Sequence, residues 1–239
     1  MMGSCSRSTG IAVWLVPSEP ESALLQQLMS RHPKPGAPRS FPHFHPHITL
    51  AAVSGTPRPI AGDHDDDEAA STRTLSDPGG PGPDPSLILA LREAIPLGQR
   101  AVHVRFARAL AGDHYFRSVY VAIAPSAELA QLRAALRLAL APAAQGGPDS
   151  PPAFPHLSLY YVADEEAHTR ARFFQELERE DVVRHSADGL SVALRCAAGE
   201  EGSEGDGVLE SCVCTQIWIV DCEGPVEGWK VLDKILLAK

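Results

Sequence analysis

The 239-residue chain reads as an α+β protein with antiparallel sheets, and three features of the sequence point there. Short apolar runs of strand length and amphipathic helical stretches are mixed, without the regular strand–helix alternation of a doubly wound parallel sheet. No glycine-rich phosphate loop follows any strand-like run. One short motif occurs in each half of the chain, which predicts a bilobal fold with related halves on either side of a central cleft.

The elements come in this order. Ile11–Val16 is a buried strand, and residues 19–31 place Leu24, Leu25, Leu28 and Met29 at helical spacing before His32-Pro33 ends the helix. Residues 33–46 form a proline-rich loop that leads into a strand at His47–Val53. From 54 to 85 the chain holds almost no large apolar residue, so it reads as a disordered insertion that could not bury enough surface to offset its ordering entropy. A short helix at 86–95 precedes two antiparallel strands, Val102–Ala109 and Tyr115–Ala124, around the turn Ala111-Gly112-Asp113. Residues 126–142 are the clearest helix, and a Gly/Pro stretch at 146–152 leads to the strand His156–Val162. Next come an amphipathic helix at 165–180, a strand at 189–197, an acidic glycine loop at 199–209 and a strand at 212–221. The tail from Gly228 packs back on a sheet or forms a last helix.

Composition narrows the function. Residues 63–68 and 200–206 hold as many acids as the whole net charge of −9, so the rest of the chain is neutral. Acidic loops argue against a broad duplex-binding face, which needs clustered Lys and Arg. No apolar run is long enough to span a membrane, and Ile11–Val16 is too short for a signal-peptide core. Five cysteines without a secretory signal imply free thiols, with Cys212 and Cys214 as small buried residues on one strand face. The expectation is a soluble intracellular protein, cytoplasmic and monomeric.

The chemistry lies in the repeated motif. Pro46-His47-Ile48-Thr49-Leu50 and Pro155-His156-Leu157-Ser158-Leu159 match as Pro-His-apolar-hydroxyl-Leu, with Phe44 and Phe154 just upstream. In a strand, residues two apart share a face. His47 therefore sits beside Thr49 and His156 beside Ser158, while Ile48, Leu50, Leu157 and Leu159 turn to the core. Two imidazoles and two hydroxyls facing across a cleft suit phosphodiester hydrolysis. A neutral ring deprotonates water, a charged ring protonates the leaving alkoxide, and the hydroxyls hold the non-bridging oxygens.

The competing arrangement is a metal site from the alternating His43, His45 and His47. Pro42 and Pro46 work against an extended ladder there, and no nearby carboxylate completes a ligand set. The expectation is therefore no metal and no cofactor. A serine hydrolase is unsupported, since no Gly-x-Ser-x-Gly elbow is present.

The paired motifs resemble the two His-x-Thr/Ser-x signatures of the two-histidine phosphoesterase superfamily, in particular the fungal and plant cyclic phosphodiesterases. Trp14-Leu15-Val16-Pro17, Phe116-Arg117-Ser118-Val119-Tyr120, Trp218-Ile219-Val220-Asp221 and Gly228-Trp229 extend the resemblance over nearly the whole chain. It implies a single bilobal domain of two antiparallel-sheet lobes related by a pseudo-twofold axis, with metal-independent catalysis in the cleft. The implied substrates are 2′,3′-cyclic nucleotides, opened to 2′-phosphates, and ADP-ribose 1″,2″-cyclic phosphate, a by-product of tRNA splicing. Carried over, His47 and His156 are the acid–base pair, and Thr49 and Ser158 bind phosphate. Tyr161 contacts the ligand, a place that Tyr160 could also take. Two alternatives stay open: an RNA-end processing enzyme using a track through Arg105, Arg108, Arg117 and Arg195, and a nucleotide-binding module without turnover.

Overall fold

The computed structural model describes residues 9–54, 84–140, 155–196 and 207–238. The expectations for Cys5, for Phe154, for nearly all of the 54–85 insertion, for 146–152 and for residues 199–206 of the acidic loop lie outside them.

The first half runs β1 (Thr9–Pro17), α1 (Glu19–Met29), β2 (Ile48–Ser54), α2 (Pro85–Glu93) and β3 (Val102–Ala111). The second half runs β4 (Val119–Ile123), α3 (Ala127–Leu140), β5 (His156–Tyr160) and α4 (Ala167–Arg179). Then come β6 (Val183–His185), β7 (Val192–Arg195), β8 (Val208–Leu209), β9 (Ser211–Asp221) and β10 (Lys230–Leu236). The fold is α+β and every ladder between named strands is antiparallel, as the sequence predicts. The tail is a strand, β10, hydrogen-bonded to β9. Val208 and Leu209 leave the predicted loop to pair with Leu194 and Arg195 in a small three-stranded sheet, β6-β7-β8. Strands of two and three residues are too short to show a period.

The large sheet has the order β1-β2-β5-β4-β3-β9-β10, and β1 also pairs with β9, so six of its seven strands close on themselves. This order is symmetric. The unit β1-α1-β2 matches β4-α3-β5, and each unit's first strand accepts a strand from the other half: β9 joins β1, and β3 joins β4. The helices cross over in the same way, α1 packing on β5 and α3 on β2. Each presents one apolar stripe, Leu25, Leu28 and Met29 in α1 and Leu129, Leu132, Leu136 and Leu140 in α3.

The internal match extends to a defect. Between Val13↔Ala51 and Trp14↔Thr49, β2 carries one extra residue opposite β1; between Val119↔Tyr160 and Tyr120↔Ser158, β5 carries one extra opposite β4. The extra residues are Leu50 and Leu159, at the same place in the two motifs. A bulge shifts the side-chain phase by one and re-aims the residues beyond it. The bulge carbonyl of Leu50 is not left orphaned, since Arg133 Nε of α3 donates to it at 3.2 Å.

The predicted strand Tyr115–Ala124 starts late, at Val119, because Tyr115–Arg117 form a 3₁₀ turn. Gly112 permits this chain reversal: a Cβ there would stand 2.0 Å from the Arg117 carbonyl oxygen, while its N–H bonds Ser118 O at 2.9 Å. Among the described residues no helix is long and apolar enough to cross a membrane. Cys196, Cys212 and Cys214 are free and buried, and Cys222 is buried.

Candidate active site

β2 and β5 carry the two motifs and are neighbours, joined by a single ladder pair, Ile48↔Leu157. The paired residues are the same position of the motif, so a local dyad passes between them. Continuing the register sets His47 opposite Ser158 and His156 opposite Thr49, all four on one face. Only that one pair joins the two strands. Ile48, Leu50, Leu157 and Leu159 are each at most 1% exposed, on the core side as expected.

An aromatic residue from the neighbouring strand supports each ring. Trp14 of β1 stacks on His47 with ring centroids 3.7 Å apart and planes 12° apart. Tyr120 of β4 meets His156 edge-on at 5.2 Å. Trp14 and Tyr120 are the cross-strand partners of Thr49 and Ser158, so the supports obey the same pseudo-symmetry as the motifs. The two sites are not identical. His47 is 3% exposed, and His156 is half-buried.

His47 Nδ1 lies 2.7 Å from the His45 carbonyl oxygen. A carbonyl only accepts, so Nδ1 carries the proton and Nε2 the lone pair. Burial pushes the His47 pKa down to about 3, with the neighbouring His45 and His156 adding repulsion and the His45 carbonyl opposing the shift.

That shift has a consequence for stability. The unfolded chain takes up the His47 proton near pH 6.5 and the folded chain near 3, so its contribution is full above pH 6.5 and declines as pH falls through that window. The slope for one such group is about 1.4 kcal/mol per pH unit. His47→Gln is therefore expected to show a shallower loss of unfolding free energy between pH 6.5 and 4 than the parent chain, measured by urea titration. Identical slopes would mean that His47 titrates normally.

Ser158 Oγ donates to the Phe116 carbonyl at 2.9 Å, a contact that the 3₁₀ turn makes possible and that the sequence does not announce. The Tyr161 hydroxyl meets Ser158 in turn. Tyr161 is 2% exposed, stacked on Phe44 at 4.2 Å and edge-on to Trp229 at 6.3 Å, with its phenol pKa raised by burial. It stands behind Ser158 and fixes it. Strand alternation would put Tyr160 on the face of Ser158, but the bulge at Leu159 turns Tyr160 into the core, where its hydroxyl shares its one proton between Leu28 O at 2.7 Å and Arg31 O at 2.8 Å. Tyr160 is thereby removed from the site.

The alternating histidines do not converge. His47 lies on Trp14, His45 lies against Trp218 at 4.5 Å, and His43 Nε2 is 3.0 Å from the Gln26 amide. The residues of the wider resemblance do converge: Trp14, Phe116, Tyr120, Trp218 and Trp229 all border the motif face.

Two histidine–hydroxyl pairs on adjoining antiparallel strands, related by a local dyad, define a two-histidine phosphoesterase arrangement. Residues 9–237 match the model of the cyclic phosphodiesterase-like protein family, and the chain belongs to that family. No curated protein matches the sequence. Among solved structures, E. coli LigT complexed with NADP+ is similar at a TM-score of 0.50 and 14% identity, covering 98% of this chain and 100% of that one. LigT complexed with ATP gives the same TM-score and identity over 97% and 99%. At that identity the likeness is one of fold.

Proposed function

We propose that this protein hydrolyses 2′,3′-cyclic nucleotides to nucleoside 2′-phosphates, and ADP-ribose 1″,2″-cyclic phosphate to ADP-ribose 1″-phosphate, by metal-independent acid–base catalysis. The observation that carries the proposal is the dyad placement of His47 and His156 around Ile48↔Leu157, each with its hydroxyl on the same face. LigT, of the same fold, has been crystallised with NADP+ and with ATP, both adenine nucleotides.

In the proposed reaction the cyclic phosphate lies between the rings, its non-bridging oxygens on Thr49 and on Ser158, whose hydroxyl turns from the Phe116 carbonyl to the phosphate. One imidazole takes a proton from water as its oxygen bonds to phosphorus. The P–O3′ bond breaks, and the other imidazole gives its proton to O3′. Water is thus added across one ester bond and the phosphate stays on the 2′ oxygen. His47 is neutral in the free protein near pH 7, so it donates only if a bound phosphate anion raises its pKa. An NMR titration of His47 with bound 2′-nucleotide assigns the roles: a pKa that climbs toward neutrality marks the donor, one that stays low marks the acceptor.

Ser158→Ala is expected to lower kcat/KM by roughly 10- to 100-fold, the worth of one hydrogen bond to a charged oxygen. Steady-state kinetics on 2′,3′-cyclic AMP checks this; an unchanged value would remove Ser158 from the phosphate.

The experiment for the function itself is product identification by phosphorus NMR after incubation with each cyclic phosphate in EDTA. The 2′-phosphate and the 1″-phosphate are expected. No turnover, or turnover lost to EDTA and restored by a divalent ion, would refute the proposal. The oligonucleotide alternative draws little support, because the four arginines do not form a track. Arg105 and Arg108 are exposed on β3, Arg117 is on the turn before β4, and Arg195 pairs with Asp181 at 3.2 Å.

A further inference from the structure

On the His47 side of the motif face stand a lysine and a histidine that the acid–base pair does not use. Trp14 and Trp218 are cross-strand partners on β1 and β9, so their indoles lie side by side on the cleft face, one strand spacing of about 5 Å apart. His47 occupies the first indole. Over the second stand Lys234 of β10, with Nζ 4.2 Å from the Trp218 ring centroid, and His45, its ring 4.5 Å away. Lys234 is the cross-strand partner of Trp218, which fixes it there.

Among the described residues no salt bridge engages Lys234, and its neighbour Asp233 is committed to Arg92 at 2.6 Å. The His45 pKa is lowered by burial, and the charges of Lys234 and His43 add to that shift. His45 Nδ1 donates to the Pro46 carbonyl at 3.0 Å, so Nε2 faces a ligand with its lone pair and bonds a phosphate through the proton of a phosphate monoanion or after taking up a proton itself. An ammonium and an imidazole over an apolar indole floor, with no acid among them, is a site for an anion. It adjoins His47 through the paired indoles of Trp14 and Trp218.

We propose that Lys234 and His45, over Trp218, form a second-phosphate subsite that selects cyclic-phosphate nucleotides bearing a further phosphate on the 5′ side. This inference rests on the cyclic phosphodiesterase function proposed above. The second phosphate can come from a free 5′-phosphate or from an internucleotide linkage, and the subsite reads the chemistry they share.

The test compares the full chain with Lys234→Met, which keeps the side-chain stem on Trp218 and removes the charge. The substrates are 2′,3′-cyclic AMP, its 5′-phosphorylated form, and a dinucleotide ending in a 2′,3′-cyclic phosphate. The parent chain is expected to favour the 5′-phosphorylated form by about tenfold in kcat/KM, through KM. Lys234→Met should abolish that preference and leave 2′,3′-cyclic AMP within about twofold. A preference for the dinucleotide of the same size would assign the source to a linkage, and its absence to a terminal phosphate. No preference in the parent, or an equal loss on both mononucleotides, would overturn the subsite.

Calorimetry with 2′-AMP and adenosine 2′,5′-bisphosphate separates the two proposals. Tighter binding of the bisphosphate, lost in Lys234→Met, without any turnover keeps the subsite and refutes the hydrolase. Turnover without that binding difference does the reverse.

Discussion

Replacing His47 with alanine should lower kcat on 2′,3′-cyclic AMP by about 10²–10⁴-fold, equivalent to about 2.7–5.4 kcal/mol of barrier, and His156→Ala should do the same. The magnitude comes from the step that either ring supplies. Without a proton acceptor, water attacks as a neutral and poor nucleophile; without a donor, the leaving oxygen departs as an alkoxide. The remaining ring, the hydroxyls and the cleft still bind and orient the phosphate, so activity falls without vanishing. Because His47 is 3% exposed and stacked on Trp14, His47→Gln is the control for packing. It retains most of the side-chain volume and should be nearly as inactive as the alanine variant, with an unchanged far-UV spectrum. Full activity in either alanine variant would remove that histidine from the chemistry.

The second large effect is on stability. Arg170 of α4 is only 2% exposed, and its guanidinium donates to Asp113 O at 2.8 Å, to Val162 O at 2.7 Å and to the Asp164 carboxylate at 2.5 Å. It ties the helix to the Gly112 turn and to the chain leaving β5, the two segments that carry Phe116 and Tyr161 to the site. Arg170→Ala strands two carbonyls, of which Val162 O keeps a bond from Ser118 Oγ at 3.2 Å, and opens a cavity. Asp164 is 59% exposed, so its carboxylate returns to water at little cost. The expected loss is about 3 kcal/mol, or a fall in Tm of about 6–12 °C for a chain of this size. Arg170→Lys should recover only part of it, having one compact head in place of a fork. A thermal melt checks both. A shift within about 2 °C would mean that the buried network adds nothing net.

The proposed catalytic quartet was legible because strand alternation is local: His-x-Thr and His-x-Ser commit both side chains to one face whatever the strand pairs with. The supports of that quartet were not. Trp14 and Tyr120 reach the rings only through the β1–β2 and β4–β5 registers, which join residues far apart in sequence. The choice between Tyr160 and Tyr161 turned on an extra residue, Leu159, that has meaning only against its partner strand. The Phe116 carbonyl behind Ser158 is backbone, and any residue could have supplied it. The alternation of His43, His45 and His47 suggested a common face, but Pro42 and Pro46 keep the segment out of β2 and send the three rings to three neighbours.

In the proposed reaction two imidazoles, one from each half of the chain, act on one phosphorus as a unit. The most direct measurement is the residual kcat of the His47→Ala/His156→Ala double variant beside the two single variants. If the rings serve a single displacement, the double variant should lose little more than either single one, since half of the pair already leaves the reaction uncatalysed at that step. Losses that multiply, so that the double variant falls by the product of the two, would mean that each ring lowers the barrier independently of the other and would contradict their acting as a unit.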